Sequence, residues 1–98
     1  MKIRFTETAV GEVDEILSYI AQYNPSAAVK VADAIRQAVA RAAARPESSP
    51  VVYAADIRAK RVGRFQYRIY YVVRGDELII RNVRSTRRQR PWEESGAL

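Results

Sequence analysis

Ten arginines and one lysine lie in the second half of this chain, at Arg58, Lys60, Arg61, Arg64, Arg68, Arg74, Arg81, Arg84, Arg87, Arg88 and Arg90. Between Arg58 and Arg90 only Asp76 and Glu77 oppose them. Residues 1–49 hold six basic and six acidic side chains, so the net charge of +6 belongs entirely to the second half. A guanidinium grips phosphate or carboxylate with a planar fork, where an ammonium offers a point charge. An acidic partner is therefore expected, with a merely solubilising surface as the plainer reading of the same charge. The chain has no histidine and no cysteine. It thus lacks the commonest general base, a thiol nucleophile, a disulfide framework and the usual zinc ligands, and neither metal nor cofactor is expected. The opening MKIRFTETAV has no apolar stretch of signal-peptide length, and nowhere do 18 apolar residues run together. A cytoplasmic protein with no membrane partner is expected.

The elements that must position these cations can be read from periodicity. With 98 residues, of which 48% are hydrophobic, the chain is expected to form a single domain over 1–98, with Ser95 to Leu98 frayed. KIRF (2–5) alternates polar and apolar residues as a short strand does, and Thr6 is a helix N-cap with Glu7 in the first turn. Ala9, Val13, Ile16, Leu17 and Ile20 recur at steps of three and four, leaving Glu12, Asp14 and Glu15 towards water. Asn24-Pro25 marks a second helix start, a strong cap followed by a residue suited to the first helical position. Ala28, Val31, Ala32, Ile35, Val39 and Ala42 continue the spacing to Arg45-Pro46, giving an antiparallel helical hairpin.

After Pro50 the period becomes two. A strand is expected around 57–62, turned by Gly63, and FQYRIYYVV (65–73) is the clearest strand of the chain. Gly75-Asp76 supplies a two-residue hairpin turn into ELIIRNV. If Arg74 faces Glu77, then Val73 faces Leu78, Tyr71 faces Ile80 and Ile69 faces Asn82, an apolar face for the helical hairpin to cover. The opposite face sets Tyr70 beside Arg81 and Arg68 beside Val83. The expected architecture is α+β, ordered β-α-α-β-β-β, with an antiparallel sheet carrying the helical hairpin on one face and a basic surface on the other.

Three stretches resemble the RelE/ParE superfamily of bacterial type II toxins. YIAQYNPSAA (19–28) is similar to the helical signature of the ParE-like, plasmid-stabilisation branch. RVGRFQYRIYYVV (61–73) resembles the shared central strand, and IIRNVRSTRRQRPW (79–92) the last strand with its basic tail. The resemblance implies a growth-inhibiting toxin neutralised by a cognate antitoxin whose extended C-terminal segment wraps it. Of the two activities in the superfamily, it favours ParE-like poisoning of DNA gyrase, which would not make the chain an enzyme. The alternative is a RelE-like, ribosome-dependent mRNA endoribonuclease, and a second alternative is a non-toxic nucleic-acid-binding module.

Carried over by position, Arg68 matches the central-strand arginine of RelE-like members, Lys60 or Arg61 their basic pair, Arg87 or Arg88 their tail arginine and Trp92 their tail aromatic. As a ribonuclease the chain would rely on Arg68, Arg81 and Arg88. Trp92 can stack on a base but has no ionisable proton to pass, and no histidine replaces it. Nucleic-acid or target binding is assigned to Arg58, Lys60, Arg61, Arg64, Tyr70, Arg84, Arg87, Arg90 and Trp92. The plainer alternatives stay open: Arg68 as a structural arginine paired with Glu77, Asp56 or the C-terminal acids, and Arg84, Arg87, Arg88 and Arg90 as only a mobile basic tail, while Tyr67 and Tyr71 belong to the core by parity. A basic face beside an exposed strand edge also invites an acidic, extended peptide, which is the expected form of the antitoxin's contact.

Overall fold

Two short polar side chains start the helices. In the computed structural model, which describes residues 1–88 and 90–93, β1 (Lys2–Phe5) gives way to α1 (Glu7–Tyr23) at Thr6, whose Oγ1 accepts from the Ala9 amide at 3.1 Å. Asn24 ends α1 and begins α2 (Pro25–Ala44). Its amide donates to the Ile20 carbonyl while its Oδ1 accepts from the Ala27 amide at 3.0 Å. One residue thus caps two helices. Asn24→Ala is expected to cost about 1 kcal/mol, the usual worth of such a cap, measured as a lowered urea midpoint with an unchanged slope.

The hairpin lies on one face of a five-stranded sheet, ordered β1-β5-β4-β3-β2. β2 (Val51–Tyr53), β3 (Ile57–Arg61), β4 (Tyr67–Arg74) and β5 (Glu77–Ser85) run antiparallel in turn, while β1 pairs parallel with β5. The sequence reading of an α+β domain therefore holds, with the three-residue β2 as an additional strand after the helices. Between the layers Val31, Ile35, Val39 and Ala42 of α2 meet Ile69, Tyr71, Leu78, Ile80 and Val83 of the sheet, all buried. The wholly buried Tyr71 keeps its hydroxyl satisfied by donating to the Pro46 carbonyl at 2.7 Å.

The β4–β5 hairpin follows its turn only part of the way. Gly75, at φ +60°, makes the two-residue turn, and Arg74–Glu77, Val73–Leu78 and Tyr71–Ile80 face each other as the turn demands. Beyond Ile80 a β-bulge shifts the register, so Tyr70 faces Asn82, Ile69 faces Val83 and Arg68 faces Arg84. The bulge coincides with contacts from the start of α1. The Thr6 amide donates to the Ile80 carbonyl and the Thr6 hydroxyl to the Arg81 carbonyl at 2.9 Å, so the start of α1 holds β5 at the point where β1 ends.

Past that point the outer side of β5 is served by Glu12, which is 8% exposed and does not face water as its helical position suggests. One carboxylate oxygen accepts from Asn82 Nδ2 at 3.1 Å and the Val83 amide at 3.0 Å, and the other from Arg84 Nε at 2.6 Å. A buried strand edge needs acceptors for its amides, and Glu12 replaces the missing strand.

Candidate functional site

On the face away from the helices β3 and β4 are apolar along most of their length and cationic at one end, where Arg61 faces Arg68. Ile57 and Ala59 of β3 join Tyr70, Val72 and Ile79 in a second, smaller cluster, with Val52 and Trp92 packed against it. This face is therefore half apolar, where the sequence reading expected a basic surface throughout. Its apolar half is covered by the chain's own tail. Pro91 is buried, the Trp92 ring stacks on Tyr53 with centroids 4.5 Å apart, and it meets Tyr70 edge-on at 5.6 Å. Tyr70 is 4% exposed and serves as the tail's seat, not as an open stacking platform.

Beside that cluster lies a basin of about 340 Å³. One wall is the Ser48–Val52 segment, Ala59 and Tyr70 line it from the sheet, and its cations are Arg61, Arg68 and Arg90, with Lys60 at the margin because its strand position, opposite Ile69, is on the helix side. Arg61 and Arg68 are direct partners across β3 and β4. Two like charges in that relation repel, and burial of either strand's neighbours does nothing to relieve it. Neither is ion-paired among the described residues. Asp56 is taken by Arg74 at 2.6 Å and Glu77 by Arg4 at 3.6 Å, while Glu93 accepts from the Arg90 amide, so the pairings proposed for Arg68 with these acids are not made. Glu94 and Ser95 to Leu98 lie outside the described residues.

The remaining candidates are placed elsewhere. The Arg58 guanidinium donates to the Ser49 carbonyl at 2.6 Å and to that of Glu47 at 3.3 Å, pinning the segment that walls the basin without entering it. Arg64 is exposed in the β3–β4 turn next to Gly63, whose φ is +53°. Arg81 sits in the bulge and does not line the basin, contrary to its expected place beside Tyr70. Arg84 is held by Glu12, and together with Arg88 it lines a separate groove of about 320 Å³ between α1 and the end of the sheet. Arg87 is exposed in the turn after β5. The three arginines named for ribonuclease chemistry, Arg68, Arg81 and Arg88, are thus not gathered at one place. Sequence reasoning missed Ser48, Ser49 and Val52 as basin wall. Their signal was available in the Pro46 and Pro50 bracket just ahead of the cationic stretch.

A helical hairpin on one face of a small, mostly antiparallel sheet, with clustered cations on the other, defines the RelE/ParE type of toxin fold. Within that class, residues 3–90 match the family model described as "ParE toxin of type II toxin-antitoxin system, parDE", and the chain belongs to this family. Its fold is similar to a solved structure of the chromosomal ParDE TA system from P. aeruginosa. The TM-score is 0.76 at 19% identity, over 87% of this chain and 95% of that one, a likeness of fold alone. No curated protein matches the sequence. Among the described residues no helix is long and apolar enough to cross a membrane.

Proposed function

We propose that this ParE-family toxin arrests growth by poisoning DNA gyrase, and that it is neutralised by a cognate antitoxin with an acidic, extended C-terminal segment. One observation carries the choice of target: among the described residues the basin's lining holds no carboxylate or imidazole to take up and return a proton, and its phenol, Tyr70, is 4% exposed and packed edge-on against Trp92. Attack by a 2′-hydroxyl on phosphate needs such a group, and charge stabilisation alone replaces it poorly. Trp92 carries only an N–H donor and is docked on Tyr53 and Tyr70. These features favour target binding over RNA cleavage.

The antitoxin reading is supported by the sheet's edge. β1 is an outer strand with one side unpaired and with Lys2 and Arg4 exposed along it. A peptide laid beside it gains main-chain hydrogen bonds and charge pairs together. The purified chain is expected to block gyrase supercoiling and to leave messenger RNA intact in a translating extract. Cleaved RNA with unaffected supercoiling would reverse the assignment in favour of the ribonuclease reading.

A further inference from the structure

We infer that the basin grips the sugar–phosphate backbone of duplex DNA without reading its bases, and that the C-terminal tail completes the grip. The inference rests on the gyrase reading above only in supplying a reason for duplex DNA to be present.

Arg61, Arg68 and Arg90, from three separate parts of the chain, converge on one concavity with Lys60 at its margin, and among the described residues its lining contains no acid. The direct opposition of Arg61 and Arg68 is unfavourable in the free protein and becomes favourable when one anionic group bridges the two guanidinium forks. Arg90 arrives from a remote segment and is held there by its neighbours. Its amide is bonded to the Glu93 carboxylate, Pro91 is buried, and the Arg90 guanidinium lies 5.7 Å from the centre of the Trp92 ring. The tail is thus a built wall of the basin.

The ligand's class follows from what the basin does and does not offer. β4 is paired on both sides, and β3 is covered by β2 and Pro50 as far as Ala59, so the edge left at Lys60 and Arg61 is too short to hold the main chain of an extended acidic peptide. Such a peptide would have to be held by scattered carboxylates alone. A nucleic-acid backbone carries its charge on every unit and needs no such edge. Single strands are usually held by stacking bases on aromatic rings. Here Tyr70 is buried, and the Trp92 ring is engaged by Tyr53, Tyr70 and Arg90. With cations present and ring faces occupied, a duplex whose bases stay stacked is the better fit.

Trp92 is the chain's one tryptophan, so its fluorescence reports on the basin's tail wall. The test titrates a short duplex DNA, a single-stranded RNA of the same length and polyglutamate into the full chain. Trp92 emission and the anisotropy of the labelled ligand are followed across a salt series. The duplex is expected to bind tightest. Arg61→Ala and Arg68→Ala should each weaken it about tenfold and lower the salt slope by about 0.9 per cation removed. Arg90→Ala should do likewise and Trp92→Ala should match it, while Lys30→Ala on α2 stays within twofold of the parent. Should Arg68→Ala lower the melting midpoint, Arg68→Lys decides, since it must keep the slope and lose affinity. Tighter binding of RNA or polyglutamate, no binding of duplex, or an affinity unmoved by Arg68→Ala and Arg68→Lys would each overturn the inference. Gyrase inhibition without duplex binding sinks this inference alone, and duplex binding without gyrase inhibition sinks only the target assignment.

Discussion

Glu12→Ala is expected to remove about 3–5 kcal/mol of stability, the loss typical when a buried ion pair loses one partner, which for a domain of this size is a large part of the total. The carboxylate has three donors, and no other strand lies beside β5 at that point to replace it. Its side chain and that of Arg84 are each 10% exposed, so water cannot readily take over. Glu12→Gln should fall between parent and Ala. It keeps one acceptor oxygen for Asn82 and Val83 but turns an amide donor towards Arg84 Nε. Glu12→Gln combined with Arg84→Met should recover much of the loss, because a neutral, well-packed replacement of a buried pair is often tolerated. Urea melts of the four proteins measure this. A loss below about 1 kcal/mol for Glu12→Ala, the range of an exposed pair, would show that the cluster is solvated.

Trp92→Ala is expected to cost about 2 kcal/mol, less than the 3–5 kcal/mol of a fully buried tryptophan because this one is half-buried. The loss should be regional. Tyr53, Tyr70, Val72 and Ile79 lose their cover, so amides of β2 and β3 should exchange faster with solvent while those of β5 paired with β1 keep their protection. Trp92→Phe should restore most of the protection, since the stacked and edge-on contacts survive in a smaller ring. Uniform exchange across the sheet after Trp92→Ala would show that the tail is not a separate cover.

What could be read from the sequence was what short range decides. Thr6 and Asn24-Pro25 announce their helices because a cap is a bond between residues three apart, and Gly75-Asp76 sets the register of its hairpin because the turn and the first pairs are neighbours. The register beyond Ile80 was not legible, since the bulge lies where β5 meets the start of α1, whose Thr6 hydroxyl bonds Arg81 from 75 residues away in sequence. Glu12 misled for the same reason. Helical periodicity places it among Asp14 and Glu15, and only the assembled sheet shows that an edge of β5 needs an acceptor. The apolar half of the second face had a signal: Tyr70 and Val72 are apolar on the parity assigned to arginines. The chemistry of the arginines drew the reading past them. Of the site, Arg61 and Arg68 follow from strand pairing, whereas Arg90 joins them only because Pro91 and Trp92 dock.

The parallel pairing of Lys2–Phe5 with Glu77–Ile80 has a consequence for biosynthesis. Among the described residues, β1 has as its only sheet neighbour β5, the strand latest in sequence. During vectorial translation β1 must wait, tethered to a growing helical hairpin, until β5 has been made. A ribosome halted anywhere before Glu77 therefore yields a product that cannot close its sheet, because β1 is left without its partner.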